Sequence, residues 1–398
     1  MRRRSPADRR SPSTASRRRF LTYAATAGLV SGLAGCSARG PDATRAPTDI
    51  EEWPPTNYGT KLVTRNKYKS LAGRRSGFGD EFDVEVTNYG DPYEWKESKK
   101  QGGRTDSPGL LDGIVQAVTQ HATGEDVGPK SVLDSVSTDG GWILGRALDD
   151  ELVFELPVDV MPNWSHLDER VRTHTPAQQD GSFYAVPMEM QLAPLVYNTE
   201  HFDEPPSSWE VLLDEQYADR MAIGALDFVK PEFLLAGLLT QADPTSPDDY
   251  ETLIDTVQTL DEREMYHGTI SESIEAFANG DAVVGVLDLP MLYTARFGRD
   301  APLDYTVPDE GAWATAMHTV IPKAAPNPAT AVLFANWCLN PKNAVKICDT
   351  GHKPSVDVSD YLDTEREAFY SWSDDWTLHW ITPALEHQYY DYWSRMAE

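Results

Sequence analysis

The chain has 398 residues, 40% of them hydrophobic and 25% charged, with a formal net charge of −28. That apolar content can fill a core, which excludes a disordered chain, and the length suits two domains of ordinary size. So negative a surface repels nucleic acid and anionic membrane, so neither is expected as a partner. The acidic excess is spread along the chain, as in Asp149-Asp150-Glu151 and Asp374-Asp375. Such spreading suits a solvated surface at high salt, where the Debye length falls to ~3 Å, and a halophilic source is expected.

The first 35 residues differ from the rest. They carry eight Arg and one Asp, a charge of +7, so the remainder holds −35. Ser16-Arg17-Arg18-Arg19-Phe20-Leu21 precedes an apolar run, Leu21 to Gly35, that is too short to cross a ~30 Å hydrocarbon core. The run ends in Leu33-Ala34-Gly35-Cys36. This resembles a twin-arginine signal followed by a lipoprotein signal-peptidase site. The resemblance implies a signal peptide over 1–36, lipidation of Cys36, and anchoring at the outer face of the cell membrane. One acyl chain adds ~0.8 kcal/mol per buried CH₂, so stable attachment takes more than one. Pro41, Pro47, Pro54 and Pro55 mark 37–60 as a tether.

Beyond it, Asp83 to Thr87 alternates like a half-buried strand. Lys96 to Ser107 reads as a loop, and Leu110, Leu111, Ile114, Val115 and Val118 as a helical stripe. Asp134 to Ser137 is strand-like and leads through Gly140-Gly141-Trp142 to Leu144, Leu148, Leu152 and Leu156. Met161-Pro162-Asn163 follows. Phe183 to Pro187 is a short apolar strand, and the chain then runs through Met190, Leu192, Leu195 and Val196 to a turn at Asn198-Thr199. Pro205-Pro206 stiffens the next residues, and Ser207 or Ser208 offers an N-cap to a helix over 209–216.

Strand and helix then alternate, which predicts a largely parallel sheet. The elements are a strand at 221–226, helices at 232–239, 247–262 and 271–279, and a buried strand at 282–287. Thr269 to Glu272 suggests a capping box, Gly280 a helix stop, and Asp288-Leu289-Pro290 a turn. Thr319 to Lys323 is a returning strand, and Asn327-Pro328 starts a helix over 329–339. Cys338 and Cys348 flank Asn340-Pro341. Either a disulfide outside the cell or two buried thiols fits them.

The ordered series from about 134 onward resembles the spermidine/putrescine-binding family of ABC-importer substrate-binding proteins. It comprises the crossover at 184–209, the Asn279-Gly280-Asp281 turn before a Val-rich strand, Glu310-Gly311-Ala312-Trp313, Ile321-Pro322, Gly351-His352-Lys353-Pro354, and the Tyr-rich end at 386–393. The resemblance implies an α/β, two-lobe periplasmic-binding-protein-like fold of type II with a ligand cleft between lobes. Lobe 1 would span 61–190 with a return segment at about 314–350. Lobe 2 would span 191–313 with the C-terminal helices at about 355–398. It also implies an extracytoplasmic monomer that hands a small solute to a membrane permease, with no cofactor, metal or catalysis.

A cationic solute needs carboxylates for its ammonium groups and aromatic faces for its methylenes. Glu189, Asp227 and Asp288 are the candidate carboxylates, and Trp142 and Trp313 the candidate faces. Met190, Leu287, Thr315 and Met317 stand where the family's polyamine binders place other groups. A ferric-iron, thiamine or sugar binder shares the architecture. A surface sensor or adhesion protein, or a secreted hydrolase or metalloenzyme, is a further alternative. HExxH, Gly-x-Ser-x-Gly, Walker and Gly-x-Gly-x-x-Gly motifs are absent, and the nine His show no metal-ligand spacing.

Overall fold

Two nine-residue strands, each buried along nearly its whole length, form the spine of the molecule: Ala185–Ala193 and Ala312–Val320. They run antiparallel, from Trp313 opposite Ala193 to Val320 opposite Ala185, with a bulge between Met317 and His318. The computed structural model describes residues 50–55, 58–65, 77–88, 133–138, 142–223, 231–263, 270–323, 325–383 and 385. All of these lie in one compact unit, Thr44–Tyr390. Cys36, the loop at 96–107, the stripe at 110–118, Asp227 and the end at 386–398 lie outside the described residues.

In chain order the strands are β1 Lys61–Arg65, β2 Glu85–Asn88, β3 Ser135–Thr138, β4 Gln178–Gln179, β5 Ser182–Phe183, β6 Ala185–Ala193, β7 Leu195–Asn198, β8 Met221–Ile223, β9 Val284–Val286, β10 Leu303–Thr306, β11 Ala312–Val320, β12 Lys353–Pro354 and β13 Leu378–Trp380. The helices are α1 Phe78–Phe82, α2 Trp142–Asp149, α3 Glu169–His174, α4 Pro231–Thr240, α5 Tyr250–Arg263, α6 Ile270–Ala278, α7 Leu289–Arg299, α8 Pro328–Cys338, α9 Pro341–Ala344 and α10 Thr364–Tyr370.

One sheet has the order β12-β6-β11-β3-β1-β2, with β13 also paired to β11. The second has the order β10-β7-β9-β8. Only Pro194 separates β6 of the first sheet from β7 of the second. Proline has no N–H to give a ladder, so the chain leaves one sheet there and joins the other. It returns through 307–311, where Gly311 has φ +94, and a Cβ on it would lie 2.6 Å from the Thr377 carbonyl oxygen.

The two passages are tied together. Ser208 caps the turn that follows the first and donates to the Glu310 carboxylate, and the buried Trp209 Nε1 donates to the Gly311 carbonyl at 2.7 Å. Such an architecture, two sheets joined by two adjacent crossings, is the α/β type II binding-protein fold.

Several expectations change. The second sheet is mixed, not largely parallel: β8 and β9 are parallel, whereas β7 runs antiparallel to both β9 and β10. The cause is that β7 brings the chain in and β10 takes it out, so the two must oppose. The helix expected over 209–216 is two 3₁₀ turns, Trp209–Leu213 and Glu215–Tyr217, broken at Asp214, which caps the second. Ser208, not Ser207, is the cap of the first. At 288–290 there is a helix start instead of a turn. Pro290 sits in the first turn of α7 and Asp288 accepts from the Met291 N–H at 2.9 Å.

The C-terminal stretch serves both sheets. Phe369 of α10 packs against Phe297 and Tyr305, while β13 pairs with β11. Cys338 and Cys348 are free and buried, so the disulfide alternative fails and the buried-thiol one holds. Both pack in the main apolar cluster and act as small hydrophobes. Among the described residues no helix is long and apolar enough to cross a membrane.

Candidate functional site

Side chains alternate across a strand, and directly opposed residues of paired strands share a face. On β6 and β11 this separates two chemistries. Met190, Leu192, Ala314 and Ala316 point to one side and are at most 3% exposed. Glu189, Gln191 and Ala193 point to the other, opposite Met317, Thr315 and Trp313. The second face is therefore a buried strip carrying a carboxylate, an amide, a hydroxyl, a thioether and an indole. An apolar core would not spend five positions this way, because each buried polar group needs a partner.

β12 closes the edge of the strip. Lys353 lies opposite Met190 and Pro354 opposite Glu189, which carries His352 onto the polar side. His352 Nε2 stands 3.7 Å from Glu189 Oε1, and Gln191 Nε2 donates to the same oxygen at 3.3 Å. Gly351, at φ +82, brings this turn against the start of α7: a Cβ there would meet Pro290 at 2.7 Å. Asp288, the N-cap of that helix, thus stands on an element packed against the His352 turn.

Behind β12 lies a second polar group. Lys353 Nζ donates to the Tyr370 carbonyl at 2.7 Å and sits 5.5 Å from the centre of the Trp372 ring. Burial lowers the Lys353 ammonium to about 8, against the opposing pull of Asp168. Burial pushes the Asp168 carboxyl up, but hydrogen bonds from Arg170 outweigh it and leave the group below its ordinary value. Arg170 also donates to the Trp372 carbonyl at 3.2 Å. This network anchors the chain after α10 to the edge of the first sheet.

The family model of bacterial extracellular solute-binding proteins matches residues 114–374. The chain belongs to this family. It is accordingly a solute-binding protein and not an enzyme. A putrescine/agmatine-binding protein of Pseudomonas aeruginosa is 22% identical over 264 residues, covering 58% of this chain and 72% of its own. The spermidine/putrescine ABC transporter substrate-binding protein of Streptococcus pneumoniae, solved with calcium and HEPES, has a TM-score of 0.63 at 18% identity. It covers 85% of this chain and 99% of its own. A lipoprotein of Treponema pallidum has a TM-score of 0.57 at 16% identity, covering 84% and 98%. These likenesses establish the type II fold.

In this solute-binding protein, the structure brings Glu189 and Trp313 onto one face of the spine, four residues apart along it. Asp288 is half-buried and holds a helix start. Trp313 is half-buried and its Nε1 donates to the Leu234 carbonyl of α4 at 2.9 Å, with His379 against its ring. Trp142 opens α2, but its side chain lies outside the described residues, as does Asp227. Gln191 was not singled out from sequence, although its place two residues beyond Glu189 on a strand was the available signal. His352 was read in a turn and among scattered histidines whose spacing demands no convergence; its pairing with Glu189 depends on the register of β12.

Proposed function

We propose that this solute-binding protein captures a small organic cation of the polyamine class and delivers it to an ABC permease. The observation that carries the reading is the buried Glu189, set among hydrogen-bonding groups on the one polar face of the two crossing strands. A solute ammonium or guanidinium bonded to this carboxylate away from water would gain a charge-assisted hydrogen bond. The likeness to a putrescine/agmatine-binding protein supports the same solute class. A ligand that touches both crossing strands and the α7 start would favour one arrangement of the two sheets, and a permease would recognise that arrangement.

We further propose that Ser16 to Cys36 directs twin-arginine export and lipidation of Cys36, leaving a monomer tethered outside the membrane of a halophilic cell. Similarity to a lipoprotein supports the anchoring.

Thermal unfolding in molar salt with putrescine, agmatine, spermidine, thiamine, ferric citrate, amino acids and sugars tests the solute class. Ligand at 100 times its dissociation constant stabilises by about 2.7 kcal/mol. Shifts confined to the di- and polyamines are expected. Shifts confined to a sugar or to ferric citrate would replace the solute and keep the transport role.

A further inference from the structure

We infer that residues 369–380 form a strap across the two crossings, and that Lys353 and Tyr305 are positioning residues for solute binding because they fix the start of that strap to opposite sheets. The choice of putrescine as a probe below rests on the cationic-solute reading above; the strap itself does not.

The last carbonyls of a helix have no partner within it. In α10 two of them, on adjacent residues, are taken by different sheets. Tyr305 Oη, on β10 of the second sheet, donates to the Phe369 carbonyl at 2.6 Å. Lys353 Nζ, on β12 of the first sheet, donates to the Tyr370 carbonyl at 2.7 Å. A lysine at this place also suits the negative end of the helix dipole.

Beyond the helix the attachments keep changing side. Arg170 of α3 donates to the Trp372 and Ser373 carbonyls at 3.2 and 3.5 Å. Asp168, the N-cap of α3, is tied to the first sheet through its N–H, which donates to the Ser355 carbonyl just after β12. The Trp376 ring then stands edge-on to Tyr305 of the second sheet, with centroids 6.0 Å apart. The Ala312 N–H donates to the Thr377 carbonyl at 3.0 Å, and β13 pairs with Ala312 to Ala314 of the first sheet.

Strand pairing fixes the route. The strap starts at β12, which flanks β6 on the side away from β11. From Trp313 onward β6 occupies one edge of β11, so β13 occupies the other. The chain therefore passes across both crossing strands. Two adjacent crossings leave the sheets free to turn about the line they share, and a third tie bonded to both sheets opposes that turn. The same clasp acts on the site. Neighbours on a strand face opposite sides, so holding Lys353 behind β12 also holds Pro354 opposite Glu189 in front. Loosening the strap should then lower the fraction of molecules whose site is assembled, and affinity falls with that fraction.

Spin labels on Asp159→Cys and Asp255→Cys, exposed positions beside the first sheet and on α5, report the distance between the two sides by pulsed electron resonance. The native Cys338 and Cys348 are buried. Lys353→Met and Tyr305→Phe each remove one hydrogen bond and keep most of the side chain. Each should widen the distance distribution without solute, and saturating putrescine should narrow it again. Putrescine affinity should fall by about fivefold, the equivalent of one ordinary hydrogen bond. Urea unfolding separates this from a merely structural role, which would lower stability and leave distances and affinity unchanged; that result overturns the inference. A widened distribution with unchanged putrescine affinity overturns the positioning role. If Lys353→Met does not fold, Tyr305→Phe carries the comparison alone. If putrescine does not bind the parent protein, the solute reading falls, and the distances still decide the strap.

Discussion

Trp313 Nε1 donates to the carbonyl of Leu234, joining the long return strand of the first sheet to a helix beside the second. From sequence this indole is a stacking face for a ligand. In the structure its polar edge is already taken and only its ring is left for other contacts. Trp313→Phe should therefore lower stability by about 1 kcal/mol, the ordinary value of one such bond. Trp313→Ala should cost about 3 kcal/mol or more, since a large ring is lost from a packed site. Urea unfolding measures both, and equal stability of Trp313→Phe and parent would show that the bond adds nothing in solution.

Gly285 lies within β9 with φ +155, and a Cβ on it would stand 2.0 Å from the Ala222 carbonyl oxygen on β8. Backbone cannot yield there without breaking the parallel pair that holds the second sheet. Gly285→Ala should cost about 3 kcal/mol or more, or prevent soluble expression. Gly280, at φ +74 with open space around it, is the comparison. Gly280→Ala pays only left-handed strain and should cost about 1 kcal/mol. Similar losses for the two would refute steric exclusion at Gly285.

Burial raises the thiols of Cys338 and Cys348, the latter to about 12. Thiolate is the reactive form, so both should resist alkylation in native protein and react once it is unfolded. Reducing agent should leave the melting temperature unchanged. Mass spectrometry after iodoacetamide treatment, with and without denaturant, checks this; a lower melting temperature in reductant would restore the disulfide.

Burial lowers the His318 imidazole from 6.5 to about 3, and its Nε2 lies 2.7 Å from Thr175 Oγ1. The unfolded chain therefore binds a proton near pH 6.5 that the folded one refuses until about pH 3. Stability is full above pH 6.5 and falls as pH drops through that window, because protons favour the unfolded state. Buried carboxylates contribute their own acid loss, so the informative quantity is the difference between parent and His318→Leu. The variant should lose about 1 kcal/mol at pH 7 with the Thr175 bond, and show a shallower fall below pH 6.5. Parallel stability–pH curves would contradict a neutral buried His318.

Much was legible before any fold. Apolar runs and breakers located β9, α5 and α8 because those signals are local: a period of 3.6 or 2, a Pro at a helix start, an Asn-Gly-Asp stop. At Asp288 the local reading failed, since Asp-Leu-Pro suits a turn and a capped helix start equally, and only the packing of α7 decides. The second sheet misled for another reason. Alternating strands and helices imply parallel pairs, but two strands that carry the chain in and out must oppose each other.

By itself, the sequence carried an acidic surface, Glu189 as a carboxylate on the crossover, and the family resemblance that implied a two-lobe α/β binding protein. Hydrophobic pattern, charge and turn chemistry are properties of neighbours in the chain, so a reading along the chain recovers them. Only the tertiary structure decided that Glu189 meets His352, that Trp313 bridges to Leu234, and that Cys338 and Cys348 stay apart. Those facts depend on strand register and on long loops closing. A one-residue slip of β12 would turn His352 to the other face of the sheet.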